Sequence, residues 1–306
     1  MEVSAMSGAF SISIGPVLYY WPRRTLTEFY AQVAESAART VCLGELVCSR
    51  RHEMKVDDWF ALARELSAAG KEVVLCAQAL IETEAELRAL RRFSENDEYL
   101  VEANDAAALA QLAGRPFVIG PHVNIYSAPA LDEMVALGAL RWVPPVELSL
   151  DAIAAVNPPR KASAIETEIF AFGRLPLAIS ARCFTARHHN RNRDDCGFRC
   201  VEHPDGLLVK TQEGEPFLAL NGLQTQSARV HNLLGWRDAL AESGVRRLRL
   251  SPTAQHFDLA IEAFDQVFNH DADAEASLAE LAAAGLPGSS ADGYARRCPG
   301  FEWSHA

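Results

Sequence analysis

The chain has 306 residues, 49% of them hydrophobic and 23% charged, and a formal net charge of −11. That is ample material for a large core, and the acidic total gives no broad electrostatic footprint for nucleic acid or an anionic membrane. No apolar run is long enough to span a bilayer, and the first ten residues lack the basic start and apolar stretch of a secretory signal.

In chain order, short apolar runs alternate with helical stretches. Residues 12–18 read as a strand and 26–38 as a helix; 40–43 is a strand, and 56–69 a helix closed by Gly70, a good helix stop. The unit repeats as strand 72–76 and helix 82–93, then as strand 99–102 and helix 105–113. It repeats again as strand 117–120 and helix 129–137, followed by strand 140–143. Further strands are expected at 166–170, 217–220 and 247–250, with helices at 228–242 and 257–268.

Serial strand–helix units without a Gly-x-Gly-x-x-Gly after the first strand predict an α/β fold, a (β/α)8 TIM-barrel-like single domain over residues 1–306. The rhythm breaks over 171–215, which reads as an insertion at the C-terminal end of the strands, and 271–306 reads as a C-terminal tail. In such barrels the reactive end is built from the loops after each strand. Glu45 and Cys48, His122 and Asn124, Glu147, and Asn221 all fall at those positions.

The insertion carries Cys183, Cys196 and Cys200 in a run rich in His, Arg, Asn and Asp, so burial as small hydrophobes does not explain them. Cys48 is expected at the same end of the barrel and completes a set of four thiols. Tetrahedral zinc and cubane iron–sulfur both accept four thiolates, and the spacing leaves both open. The total of seven cysteines is odd and ill suited to a disulfide-stapled secreted protein. The natural reading is a reducing cytoplasm, where clustered thiols favour metal. Cys42 and Cys76 lie in apolar strands and read as inert core residues, while Cys298 has no partner nearby in sequence.

The run from Glu168 to Cys183 (EIFAFGRLPLAISARC) resembles the signature of the collagenase-like peptidase family, a Glu-x-Phe-x-His-Gly-x-x-Cys-x-x-x-Ser-Gly-x-Cys type of pattern. Phe172 stands where the family has its histidine, and Pro176 where it has its first cysteine. The exchange of that cysteine for Cys48 is similar to the UbiV branch of the family. The stretches GPVLYYWP from Gly15, PVELS from Pro145, SARCFTAR from Ser180 and LNGLQT from Leu220 carry the same likeness. The resemblance implies a [4Fe–4S] cluster on Cys48, Cys183, Cys196 and Cys200. It also implies oxygen-independent hydroxylation of aromatic ubiquinone precursors, as a heterodimer with a UbiU-like homologous subunit and with prephenate as a source of the hydroxyl oxygen.

Other residues carry weaker expectations. Glu147 and Glu168 are candidate general bases in the barrel mouth if burial raises their pKa values, and His122 is a candidate proton donor. Arg182 and Arg187 flank the cysteines and could tune a cluster by charge and hydrogen bonding, whereas Arg193 reads as a solvated loop residue. With four cysteines available, His188 and His189 read as exposed. The alternatives to a hydroxylase subunit are a peptidase, for which the sequence offers no Ser-His-Asp set and no His-Glu-x-x-His, and a zinc-stabilised scaffold that binds a partner.

Overall fold

The computed structural model describes residues 9–159 and 165–304. The chain enters through β1 (Ser11–Ile14), α1 (Arg23–Glu35), β2 (Thr40–Leu43), α2 (Val56–Ala68), β3 (Glu72–Cys76) and α3 (Glu84–Ser94). Next come β4 (Leu100–Ala103), α4 (Ala106–Leu112), β5 (Phe117–Ile119), α5 (Ala128–Leu137), β6 (Ala139–Trp142) and α6 (Leu150–Val156). After them β7 (Glu166–Ile179) leads into α7 (Phe184–His188), β8 (Leu207–Lys210), β9 (Pro216–Asn221) and β10 (Gln224–Asn232). The chain ends with α8 (Arg237–Glu242), β11 (Arg247–Leu250), α9 (Phe257–Asn269), α10 (Ala274–Ala284) and β12 (Ser290–Ala291).

Strands β1 to β7 pair in parallel in chain order, β11 pairs in parallel with β7, and β1 pairs in parallel with β11. That closes a barrel of eight parallel strands with helices between them, the expected architecture. The helices form because their apolar residues recur at helical spacing. Leu26, Tyr30 and Val33 of α1 and Trp59, Ala63 and Leu66 of α2 are the buried stripes that face the strands. Side-chain caps fix several starts: Thr83 accepts the Glu86 N–H, Asp105 that of Ala107 and Asp273 that of Ala276. Among the described residues, no helix is long and apolar enough to cross a membrane.

Two elements depart from the sequence reading. The second half of β7 continues through Ile179 and pairs antiparallel with β10, which pairs with β9, and β9 with β8. The chain therefore stays in the sheet beyond residue 171 and leaves it only after Ile179. The expected helix at 228–242 is β10 as far as Asn232, and only Arg237–Glu242 is helical. The buried face of β10 carries Gln224, Gln226 and Ala228, so its period of two is not marked by apolar residues. The tail belongs to the fold, because β12 pairs with β10.

Alternate strand positions point into the barrel, and at its foot they are charged. Arg141 of β6 contacts Glu72 of β3 and Glu166 of β7, each at 2.7 Å, and Glu168 at 3.4 Å. Arg249 of β11 reaches Glu168 at 2.7 Å and Glu102 of β4 at 2.5 Å, while Arg247 bonds Glu72 and Glu166. The Arg141–Glu72, Arg247–Glu72 and Arg249–Glu102 pairs join strands that are not neighbours in the sheet, so they cross the lumen, while the pairs to Glu166 and Glu168 brace β7 against its neighbours β6 and β11. Above them Cys42, Val74, Cys76, Val118 and Val143 form an apolar layer with Leu18, Leu46 and Leu223.

Burial alone would push the Glu168 carboxyl up, but Arg249, Arg141 and Arg247 outweigh it and hold it at about 2, against an ordinary 4.5. With the folded value below the unfolded one, this stabilisation is full above about pH 4.5 and is lost as the pH falls towards 2. Glu168→Gln should therefore lower stability at pH 7 by about 3 kcal/mol, and its gap to wild type should shrink by about 2 kcal/mol at pH 3. Urea unfolding at the two pH values measures this; a gap that does not change with pH would refute it.

Candidate metal centre at the barrel mouth

After β2 the chain turns at Gly44, whose φ is +141° and where a Cβ would lie 2.5 Å from the Cys76 carbonyl oxygen. This close approach holds the loop against the end of β3. The Glu45 carboxylate then accepts the N–H groups of Val47 at 3.1 Å and Cys48 at 3.0 Å, which fixes Cys48 at the mouth. Cys183 caps the start of α7, its sulfur accepting the Ala186 N–H at 3.4 Å. The Cys196 sulfur accepts the Phe198 N–H at 3.4 Å, and Cys200 lies in the 3₁₀ turn Arg199–Glu202.

All four cysteines line a single cavity, and Arg50, Arg51, Arg193 and Arg199 contribute to its wall. Arg51 is buried and joins the parts. Its Nη1 donates to the Leu18 carbonyl at 2.8 Å and to Glu45 at 3.4 Å, and its Nη2 donates to Asn221 Oδ1 at 2.7 Å. Asn221 in turn donates to the Leu18 carbonyl at 2.6 Å. At Gly222, with φ +64°, a Cβ would stand 3.0 Å from Arg51 Nη2, so the β9–β10 turn closes over the guanidinium.

Burial pushes the Cys48 thiol up to about 11 and raises that of Cys200, and the Arg51 charge opposes the shift at both. A metal takes thiolates, and a neighbouring guanidinium stabilises that form. Among the described residues, the groups of three ligand atoms all within 4.8 Å are Cys42–Cys76–Glu102 and His189–Glu202–His203, and no three of the cavity thiols form one.

The remaining candidates are scattered. Arg182 and Arg187 are exposed and do not belong to the cavity wall, whereas Arg193 does belong to it. Arg193 pairs with Glu82 at 2.5 Å and donates to the Ala181 carbonyl at 3.1 Å, so it is an anchor of the insertion rather than a solvated loop residue. Glu147 is exposed and accepts the Tyr126 hydroxyl proton. Glu168 sits at the foot of the barrel, away from the mouth, and its depressed pKa makes it a weak base. Burial drives the His122 pKa down to about 4 despite the Glu102 charge, which favours the neutral imidazole at pH 7.

His188 is exposed and His189 half-buried, with their rings 5.1 Å apart. Cys42 and Cys76 are buried inside the barrel. Cys298 lies in the tail with Arg296 Nη1 3.7 Å from its sulfur. Phe172 packs between Phe257 and Phe264 in the core, and Pro176 faces Gln226 across the β7–β10 pair. Sequence reasoning missed Arg51; its only signal was its place three residues after Cys48.

A family profile described as Peptidase family U32 matches residues 25–280. Among solved structures, the chain is similar to a U32 peptidase at 13% identity and a TM-score of 0.44, over 83% of this chain and 97% of that one. It is similar to the phospho-2-dehydro-3-deoxyheptonate aldolase of Thermotoga maritima at 11% identity and a TM-score of 0.44, over 95% of this chain and 75% of that one.

Arg51→Met should remove the donor that Glu45, Asn221 and the Leu18 carbonyl share, leave Asn221 Oδ1 without a partner, and lower stability by about 3 kcal/mol. The urea midpoint of the full chain reports this; a loss under about 0.5 kcal/mol, the range of an ordinary surface change, would contradict the role given to Arg51.

Proposed function

Because the chain belongs to peptidase family U32, we propose that it is a UbiV-type [4Fe–4S] subunit of an oxygen-independent hydroxylase within that family. It acts as a heterodimer with a UbiU-like homologous subunit. Its substrates are aromatic ubiquinone precursors, and prephenate is the source of the hydroxyl oxygen. The observation that carries this reading is the convergence of Cys48, from a barrel loop, with Cys183, Cys196 and Cys200 of the insertion around one cavity.

The donor set fits the group. Four thiols lining one cavity supply the four thiolates that an iron–sulfur cubane takes. A cluster bound there would supply one-electron transfer. Arg51 would offset the negative charge of the thiolates, and the buried Ala186 of α7 keeps water from one side of the cavity. The Arg193–Glu82 and Arg50–Asp194 pairs, at 2.5 and 2.9 Å, hold the insertion against the loops after β3 and β2. A reducing compartment such as the cytoplasm suits thiols kept for metal.

Family membership also favours a second reading, peptide hydrolysis. Against it, the position of the family's signature histidine is Phe172, which is buried in the core and packed against two other phenylalanines.

Anaerobic purification should yield a brown protein with about four irons and four sulfides per chain. Cys48→Ala and Cys196→Ala should each lose most of the colour and iron, while Cys42→Ala retains them. One zinc per chain without colour would reject the cluster. Precursor hydroxylation without oxygen should require both this chain and its UbiU-like partner; activity of either chain alone would reject the heterodimer.

A further inference from the structure

A second cavity of about 430 Å³ opens beside the thiols, between the loop after β2, the start of α2, the end of β3 and α3. That is within the range of small-ligand sites, at the size of one or two fused rings. It lies at the C-terminal ends of two barrel strands, where barrel enzymes hold their substrates. Its apolar wall is Met54, Trp59, Ile81, Leu90 and Phe93, and its basic rim is Arg50, Arg51, His52 and Lys55.

Two carboxylates also line the cavity, but both are engaged. Glu45 accepts two backbone N–H groups and pairs with Arg51. Glu86 accepts the N–H groups of Glu82 at 2.6 Å and Thr83 at 2.7 Å at the start of α3. A donor, by contrast, is left over: the Nε atom of Arg50 is buried and has no hydrogen-bond partner, while Arg51 beside it also faces the Cys200 thiol. A buried donor without an acceptor is unfavourable, and a carboxylate is the strongest acceptor for a guanidinium. Both arginines line this cavity and the thiol cavity alike, so the two share a wall.

We propose that this slot binds a ring-bearing carboxylate, with its ring against Trp59 and Phe93 and its carboxylate turned towards Arg50 and Arg51. The ligand's place as substrate or co-substrate beside the thiols rests on the function proposed above; its binding does not.

Calorimetry on the full chain under anaerobic conditions, with iron analysis of the same samples, tests the proposal. The probes are 2-naphthoate and its neutral counterpart 2-naphthalenemethanol. The acid should bind at least about ten-fold more tightly than the alcohol, the difference made by one charge-assisted hydrogen bond. Ile81→Trp fills the slot and should abolish binding while keeping the circular dichroism of the wild type. Arg50→Met should weaken the acid about ten-fold without changing the affinity for the alcohol. No binding of naphthoate, equal affinity for the two probes, or full binding by a folded Ile81→Trp chain would overturn the assignment. Naphthoate binding to a chain that takes up no iron would uphold the slot and reject the cluster, so the two readings fail separately.

Discussion

A guanidinium taken out of water has to be met by acceptors, since an unpaired buried charge is strongly destabilising. Arg51 is in that position, and its acceptors come from separate parts of the chain: the segment after β1, the loop after β2 and the end of β9. Satisfying this one side chain therefore draws the insertion down onto the barrel mouth. The same contact sets Cys48 within the cavity that holds Cys183, Cys196 and Cys200. Nothing in the local conformation of any one loop would bring those four thiols together.

The mouth can be specified this closely because the barrel beneath it is rigid in register. Arg141, Arg247 and Arg249 reach carboxylates on strands across the lumen. A one-residue slip of any of these strands would turn its charge out of the barrel and strand its partners inside. The apolar layer above the charges, with Cys42 and Cys76 in it, separates this ionic floor from the thiol cavity. Charge at the foot and thiols at the mouth divide stability from chemistry, as barrel folds commonly do.

The insertion is an outgrowth of the sheet. β7 runs on past the barrel and offers its second half to β10, and β9 and β8 extend that ribbon. Short pairs then pin the cysteine loop at its edges, Arg193 to Glu82 and Arg50 to Asp194. Phe172 and Pro176, where the family signature has other residues, lie inside this packed region, so their side chains support the frame. Arg50 and Arg51 are left between two cavities, one lined by thiols and one by apolar rings.

The sequence by itself determined the barrel. Strands such as EVVLC at 72–76 and stripes such as Leu26, Tyr30 and Val33 state their structure through local periodicity, which needs no distant partner. It also marked the three clustered cysteines, because thiols in a polar run have no packing reason to be there. Tertiary structure decided the rest. Gln224–Asn232 is a strand because β7 pairs with it, although its buried face bears glutamines. Glu168 is held as an anion by arginines remote in sequence, and burial shifts His122 towards its neutral form. Arg51 is central only because acceptors from three separate segments, Leu18, Glu45 and Asn221, converge on it. Pairing and burial are non-local, and a chain read residue by residue carries their consequences without showing their partners.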